Sequence, residues 1–276
     1  MLARMKMSSR IVGFVLSLFT SSGCATAPDP APVLEHRGGR VLFVLTGADT
    51  QVLTNGKTRA TGYFLGEFYE AWRAVVDAGY EGDVATPNGE PAPIDPESLD
   101  AKYWTEHPRW RDEARAFVEG APALRDPMSL DDALARQGEY VGLVVPGGQG
   151  VMTDLVHDER MHVLVQQLGA AGRAVGLVCH APAILAHLPR GHAFEGRRVT
   201  SVSGFEEFYI ERFVMHARAR ERAIGRTLRK LGYDHVHAGP GRPFATRDQN
   251  LVTSQNPFSG PAFANHYLAA LAESPR

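Results

Sequence analysis

Gly176-Leu177-Val178-Cys179-His180-Ala181-Pro182 places a cysteine and a histidine side by side at the end of an apolar run. A thiol attacks carbon as its thiolate, and an adjacent imidazole can carry the proton. The run 174–178 reads as a buried strand, and residues 181–188 resume as helix. Cys179 therefore falls on the sharp turn between strand and helix, an elbow that lifts the sulfur out of a sheet. The positive end of the following helix is expected to stabilise a thiolate there and lower its pKa. The plainer alternative is an inert core cysteine at a strand end.

Two further features could serve such a sulfur. Pro146-Gly147-Gly148 closes another apolar run, 140–145, and paired glycines let backbone N–H groups approach a developing oxyanion. A simple tight turn would use the same residues. Glu67 lies between Phe64 and Phe68 on the apolar face of a helical stretch, where a carboxylate is costly unless it is hydrogen-bonded. Beside a thiolate it should be protonated and donate to the sulfur, its pKa raised by burial and like charge. A surface glutamate is the alternative.

The surrounding sequence supplies elements to hold these groups. Residues 40–45, RVLFVL, form a continuous β-branched run suited to a strand covered on both faces. Residues 63–78 show helical spacing and stop at Gly79. A short strand at 82–86 breaks at Pro87-Asn88-Gly89, and the Pro-, Asp- and aromatic-rich stretch 91–132 reads as a lid-like insertion. After the strand at 140–145 comes a helix at 156–169. A long charged helical region is expected at 205–231, then a hairpin at 244–254 turning at Asp248-Gln249-Asn250, and a closing helix at 262–272. Alternating strands and helices imply a three-layer α/β/α sandwich around a parallel sheet. Its reactive loops gather at the carboxyl ends of the strands, at Thr46, Gly147 and Cys179.

The 276 residues are 44% hydrophobic with formal net charge −2, which fits one globular domain and offers no basic excess for a nucleic-acid partner. Arg4, Lys6 and Arg10 precede an apolar run at 11–19 that is too short to span a bilayer. With Ser21-Ser22-Gly23-Cys24 this makes residues 1–24 a signal peptide of lipoprotein type, Cys24 being the lipidation site and lipid the only membrane anchor. Secretion with a cut near Ala25 or Ala27 is the alternative. Residues 25–39 form a Pro-rich linker, and 40–276 the folded domain in the cell envelope, facing the periplasm. With Cys24 lipidated or removed, Cys179 is a free thiol, which in an oxidising compartment favours a use for it.

The spread Thr61-Gly62 with Glu67, Pro87-Asn88-Gly89, Asp95-Pro96, Pro146-Gly147-Gly148-Gln149-Gly150, Asp154-Leu155, Cys179-His180-Ala181-Pro182-Ala183, Glu206-Glu207 and 253–257 resembles the ThiJ/PfpI superfamily, with its class I glutamine amidotransferase-like fold. It is most similar to the branch of heat-shock chaperones and glyoxalase III enzymes. The resemblance implies a flavodoxin-like sandwich, commonly dimeric. It also implies Cys179 as nucleophile, His180 as proton carrier, Glu67 as the acid on the sulfur, and Glu207 as the acid that orients His180, with Glu206 as understudy. Ala181 stands where glycine usually follows Cys-His, and Gln149 where the branch often has histidine.

From that resemblance follows cofactor-independent conversion of a small carbonyl substrate, methylglyoxal or another 2-oxoaldehyde, to a 2-hydroxy acid, with Gly147 and Gly148 as oxyanion donors. No metal or other cofactor is expected. His107, His157, His162, His235 and His237 read as surface or loop histidines. A holdase chaperone or redox stress protein is the second reading. An amidotransferase- or peptidase-like hydrolase is the third, disfavoured because His235-Val236-His237 lacks the His-x-Glu of those amidotransferases.

Overall fold

A computed structural model describes residues 38–275. The signal segment, Cys24 and nearly all of the expected linker lie outside the described residues. In chain order the strands are β1 Arg40–Val44, β2 Thr50–Val52, β3 Thr58–Ala60, β4 Glu81–Thr86, β5 Met128–Ser129, β6 Tyr140–Val145, β7 Ala174–Val178, β8 Arg198–Val199, β9 Asp234–His235, β10 Ala245–Asp248 and β11 Leu251–Ser254. The α-helices are α1 Leu65–Asp77, α2 Trp110–Gly120, α3 Pro122–Arg125, α4 Leu130–Ala135, α5 Glu159–Ala170, α6 Gly204–Tyr209, α7 Ile224–Lys230 and α8 Gly260–Glu273.

Seven strands form the central sheet in the order β10-β11-β7-β6-β1-β4-β5. All neighbours pair in parallel except β10, which turns back antiparallel to β11 at the edge. The expected parallel sheet is thus a mixed one with a single reversed edge strand, because the hairpin at 245–254 joins the sheet as a unit. Every residue of β6 and β7 is buried, as a strand covered on both faces requires. Helices α1 and α8 pack against one another over the sheet, and Gly142 and Gly176 make room for Tyr267, Leu271 and Phe263 of α8. The result matches a flavodoxin-like α/β fold.

Two regions depart from the sequence reading. The stretch 91–132 is built from short 3-10 turns with α2, α3 and the start of α4, and it places Trp104, Ala114 and Leu124 in the main core. It is a packed wall of the domain, since its aromatic residues serve as core.

The expected long helix at 205–231 is broken. α6 passes into a π-helical turn at Ile210–Val214, and helix resumes only at α7. His216 and Ala223 have φ of 53° and 59°, left-handed conformations that end a helix. In this broken stretch Met215 and Ala219 pack on Leu53, and the Arg218 carbonyl accepts the Thr54 N–H at 3.0 Å. The chain gives up helix to cover the β2–β3 hairpin, a long-range contact that no local periodicity records.

Leu143, fully buried at the middle of β6, is a direct test of this packing. Leu143→Ala should lower stability by about 2–5 kcal/mol through lost transfer energy and a residual cavity, read from denaturant unfolding of both proteins.

Candidate active site

Cys179 follows the last residue of β7 with φ of 58°, one of four non-glycine residues with positive φ among those described. This left-handed turn costs a non-glycine residue roughly 1–2 kcal/mol and persists where the surroundings fix it. Its N–H donates to Ser254 O at 2.8 Å and its carbonyl accepts from Val202 at 2.9 Å, so β11 and the following loop clamp the turn on both sides. The next segment, Ala181–His187, is a 3-10 helix whose first turn is buried.

Around the sulfur two groups converge. His180 Nδ1 lies 3.3 Å from Sγ, and the Glu67 carboxyl is close enough to the thiol for each to shift the other's titration, its Oε1 buried without a hydrogen-bond partner among the described residues. Glu67 sits in the first turn of α1 with its Oε2 accepting the Gly147 N–H at 2.8 Å. A Cβ on Gly147 would come within 2.7 Å of both Cys179 Cβ and Glu67 Oε2, so only glycine lets β6 approach this closely. Gly148 has φ of 108° and would bring a Cβ to 2.4 Å from Gly62 O.

Burial dominates the electrostatics. It pushes the Glu67 carboxyl up to about 8, so this acid is protonated at neutral pH. It lowers His180 to about 4, leaving the imidazole neutral. The Cys179 thiol, 4% exposed, is pushed well above its ordinary value by burial first and then by the Glu67 charge. The resting site is therefore a thiol beside a neutral imidazole and a carboxylic acid. The expectation of a thiolate held down by a helix end is not met, because the following helix is a short 3-10 segment and desolvation of the sulfur outweighs it.

The oxyanion and orienting groups also differ from expectation. Gly147 spends its N–H on Glu67, whereas Gly148, which lines the pocket, has an N–H without a partner among the described residues. Glu207, expected to orient His180, points elsewhere: it accepts the Ile224 N–H at 3.3 Å, and burial raises it to about 7.

Glu206 lines the pocket but is saturated by the N–H groups of Ser203 and Gly241 and the side-chain amides of Gln255 and Asn256. The group on the far nitrogen of His180 is Gln149, with Nε2 to Nε2 at 3.0 Å, and Gln51 Nε2 in turn donates to Gln149 Oε1 at 3.0 Å. This order makes His180 Nε2 the acceptor and puts the ring proton on Nδ1, toward the sulfur.

Thr46, expected among the reactive loops, is fully buried and spends its hydroxyl on Asp154 at 2.8 Å. His235, read as a surface or loop residue, is buried between Ser201 and Arg229.

Cys179, His180, Gly148 and Glu206 open onto one pocket of about 360 Å³. Its outer wall comes from Phe64, Tyr103, Phe205, Tyr209, Ile210 and Phe258. Sequence reading missed Gln51 and this aromatic wall. Gln149 was visible only as an unusual residue after the glycines, and the wall residues are scattered over four stretches of the chain.

A flavodoxin-like sandwich with a cysteine at a strand-to-helix elbow, backed by an acid from the first helix, defines the class. The chain belongs to the DJ-1/PfpI family, whose model matches residues 60–270. It is 25% identical over 265 residues to the protein/nucleic acid deglycase HchA of Pseudomonas aeruginosa, covering 89% of this chain and 85% of that one. Among solved structures it is similar to glyoxalase III of Candida albicans, with TM-score 0.69, 21% identity, and coverage of 84% of this chain and 97% of that one. It is also similar to the Rapid Encystment Protein of Francisella tularensis, with TM-score 0.67, 22% identity, and coverage of 84% and 99%. These two likenesses are of fold.

Two measurements test the site's protonation. Glu67 carries a folded pKa of about 8 against an ordinary 4.5, so the folded state binds this proton more tightly than the unfolded chain. Its stabilising contribution is complete below the unfolded value and is lost as pH rises through the folded one. Wild type should therefore lose stability relative to Glu67→Gln between pH 5 and pH 9, with a slope approaching about 1.4 kcal/mol per pH unit; parallel unfolding profiles would contradict it. Nitrogen NMR of labelled histidine should report His180 as the Nδ1–H tautomer, and Gln149→Leu should abolish that preference.

Proposed function

We propose that this protein is a cysteine-dependent enzyme that converts methylglyoxal or a related 2-oxoaldehyde to a 2-hydroxy acid, using its own residues and water. The observation that carries this reading is the sulfur of Cys179 at the floor of an open pocket, with His180 Nδ1 at 3.3 Å and the Glu67 acid against it. The relative named as a deglycase is consistent with carbonyl chemistry of this kind, and removal of such carbonyls from adducts would begin at the same carbon.

The chemistry follows from the protonation states. Cys179 adds through sulfur to the aldehyde carbon while its proton passes to the former carbonyl oxygen, giving a hemithioacetal; the unpartnered N–H of Gly148, a lining residue, is the donor assigned here to that oxygen. Glu67, kept protonated by burial, donates to sulfur as negative charge develops and does so without adding a second charge.

His180 then gives its Nδ1 proton to the neighbouring carbonyl oxygen and takes the proton of the aldehyde carbon at the same nitrogen, forming an enediol; it next gives that proton to the neighbouring carbon and takes the hydroxyl proton of the sulfur-bearing carbon. The product is a thioester of the 2-hydroxy acid. Water attacks its carbonyl carbon, the carbon–sulfur bond breaks, and the thiol is regenerated with its proton. The sum is one oxoaldehyde and one water consumed for one hydroxy acid. A neutral His180 with its ring held between Gln149 and the sulfur is suited to shuttle a proton in both directions.

A holdase or stress-protein role is the second reading, favoured by the exposed rings of Phe205, Phe208, Tyr209 and Phe213 on one short stretch of surface. The N-terminal sequence supports placement in the cell envelope, anchored through Cys24.

Purified protein should form lactate from methylglyoxal without glutathione, and Cys179→Ala should lower the rate by about a thousandfold or more. Lactate formation that survives this substitution would refute the mechanism. Suppression of client aggregation by Cys179→Ala, with no lactate formed by wild type, would favour the holdase.

A further inference from the structure

Methylglyoxal, with three carbons and two oxygens, would leave most of the pocket above Cys179 empty. Cavities of roughly 300–1,000 Å³ hold drug-sized ligands, and this one measures about 360 Å³. The groups around Cys179, His180, Gln149 and Gly148 make its floor, rings and aliphatic chains make much of its wall, and the remaining charged side chains of the lining are bonded to protein partners.

Two of the wall residues, Phe205 and Tyr209, are 60% and 47% exposed although both line the cavity. Large apolar side chains left this open are surface that a ligand can cover. The π-helical turn that follows adds Ile210 and Val214 to the same wall.

Charge narrows the ligand further. Arg59 is paired with Asp95 at 3.1 Å and Lys102 with Glu97, so both cations of the lining already have carboxylate partners. Glu206 is held in place by four N–H donors. A substrate phosphate or carboxylate would find no unpaired cation in this lining and would meet a fixed anion. Sugar hydroxyls fare little better, because the Asn256 side-chain amide is committed to Glu206 and Arg242 O, and the Tyr103 hydroxyl to Glu97.

We infer that the pocket selects 2-oxoaldehydes bearing an uncharged aromatic or medium-chain alkyl substituent, seated against Phe205 and Tyr209 while the aldehyde carbon meets the Cys179 sulfur. This rests on Cys179 acting as the nucleophile, as proposed above.

The test compares phenylglyoxal with methylglyoxal on the full chain. Burial of the ring should give phenylglyoxal a kcat/KM about tenfold or more above that of methylglyoxal. The double variant Phe205→Ser, Tyr209→Ser should lower that ratio about tenfold, since the lost apolar surface serves the ring and not the reacting carbons. A ratio near one in wild type, or a ratio indifferent to the double variant, would overturn the inference while leaving the catalytic reading intact.

If neither aldehyde is consumed, the catalytic reading fails and binding decides the pocket separately. Calorimetry on Cys179→Ala should then show 1-phenyl-1,2-propanedione binding about tenfold tighter than 2,3-butanedione. Equal affinity, or no binding of either, would overturn the apolar pocket as well.

Discussion

Keeping a thiol beside both a carboxyl group and an imidazole, away from water, is costly unless each is neutral or partnered, and that constraint shapes the whole carboxyl edge of the sheet. Cys179 must sit in a left-handed turn, because only there does its sulfur leave the strand direction and meet a side chain arriving from α1. The turn holds because β11 takes its N–H and Val202 takes its carbonyl. Glu67 can be buried because Gly147 donates to it, and Gly147 can do so because it has no side chain. Removing any one of these leaves a buried polar group without its partner.

The same edge separates two kinds of surface. At the floor, groups from β6, β7 and α1 are locked by backbone contacts and carry the polar chemistry. Farther out, the pocket is bounded by parts that are not regular sheet or long helix: the 3-10 turns of the insertion, α6 with its π-helical continuation, and the loop before α8. A rigid sheet positions the reacting atoms, and irregular segments set the shape and polarity of what can reach them. Family membership therefore informs the floor more than it informs the wall.

Gln149 shows how one departure is accommodated. An amide next to His180 brings no charge, so it suits an imidazole that burial already keeps neutral. Gln51, from the small β2–β3 hairpin, fixes which way that amide faces. The hairpin is in turn covered by Met215 and Ala219, the residues for which the chain abandons helix after α6. The tautomer of His180 is thus connected to packing well outside the catalytic turn.

Much of this was legible in the sequence, where the signal was local. The β-branched runs of β1, β6 and β7 mark strands covered on both faces, the cysteine follows the last of them directly, and the spacing from Phe64 to Phe68 places Glu67 on an apolar helix face. These determined the fold class and the elbow and marked Glu67 as an acid on an apolar face; its place beside the sulfur was implied by the family resemblance.

What only the tertiary structure decided is partnership. Glu206 and Glu207 are adjacent in the chain, yet helical geometry turns one toward the pocket and the other toward α7. Gly147 and Gly148 look alike in sequence, yet one N–H is spent on Glu67 and the other has no partner among the described residues. The protonation of the sulfur, the facing of Gln149 and the aromatic wall depend on burial and on contacts between residues distant in the chain. Periodicity and residue type carry no record of those contacts.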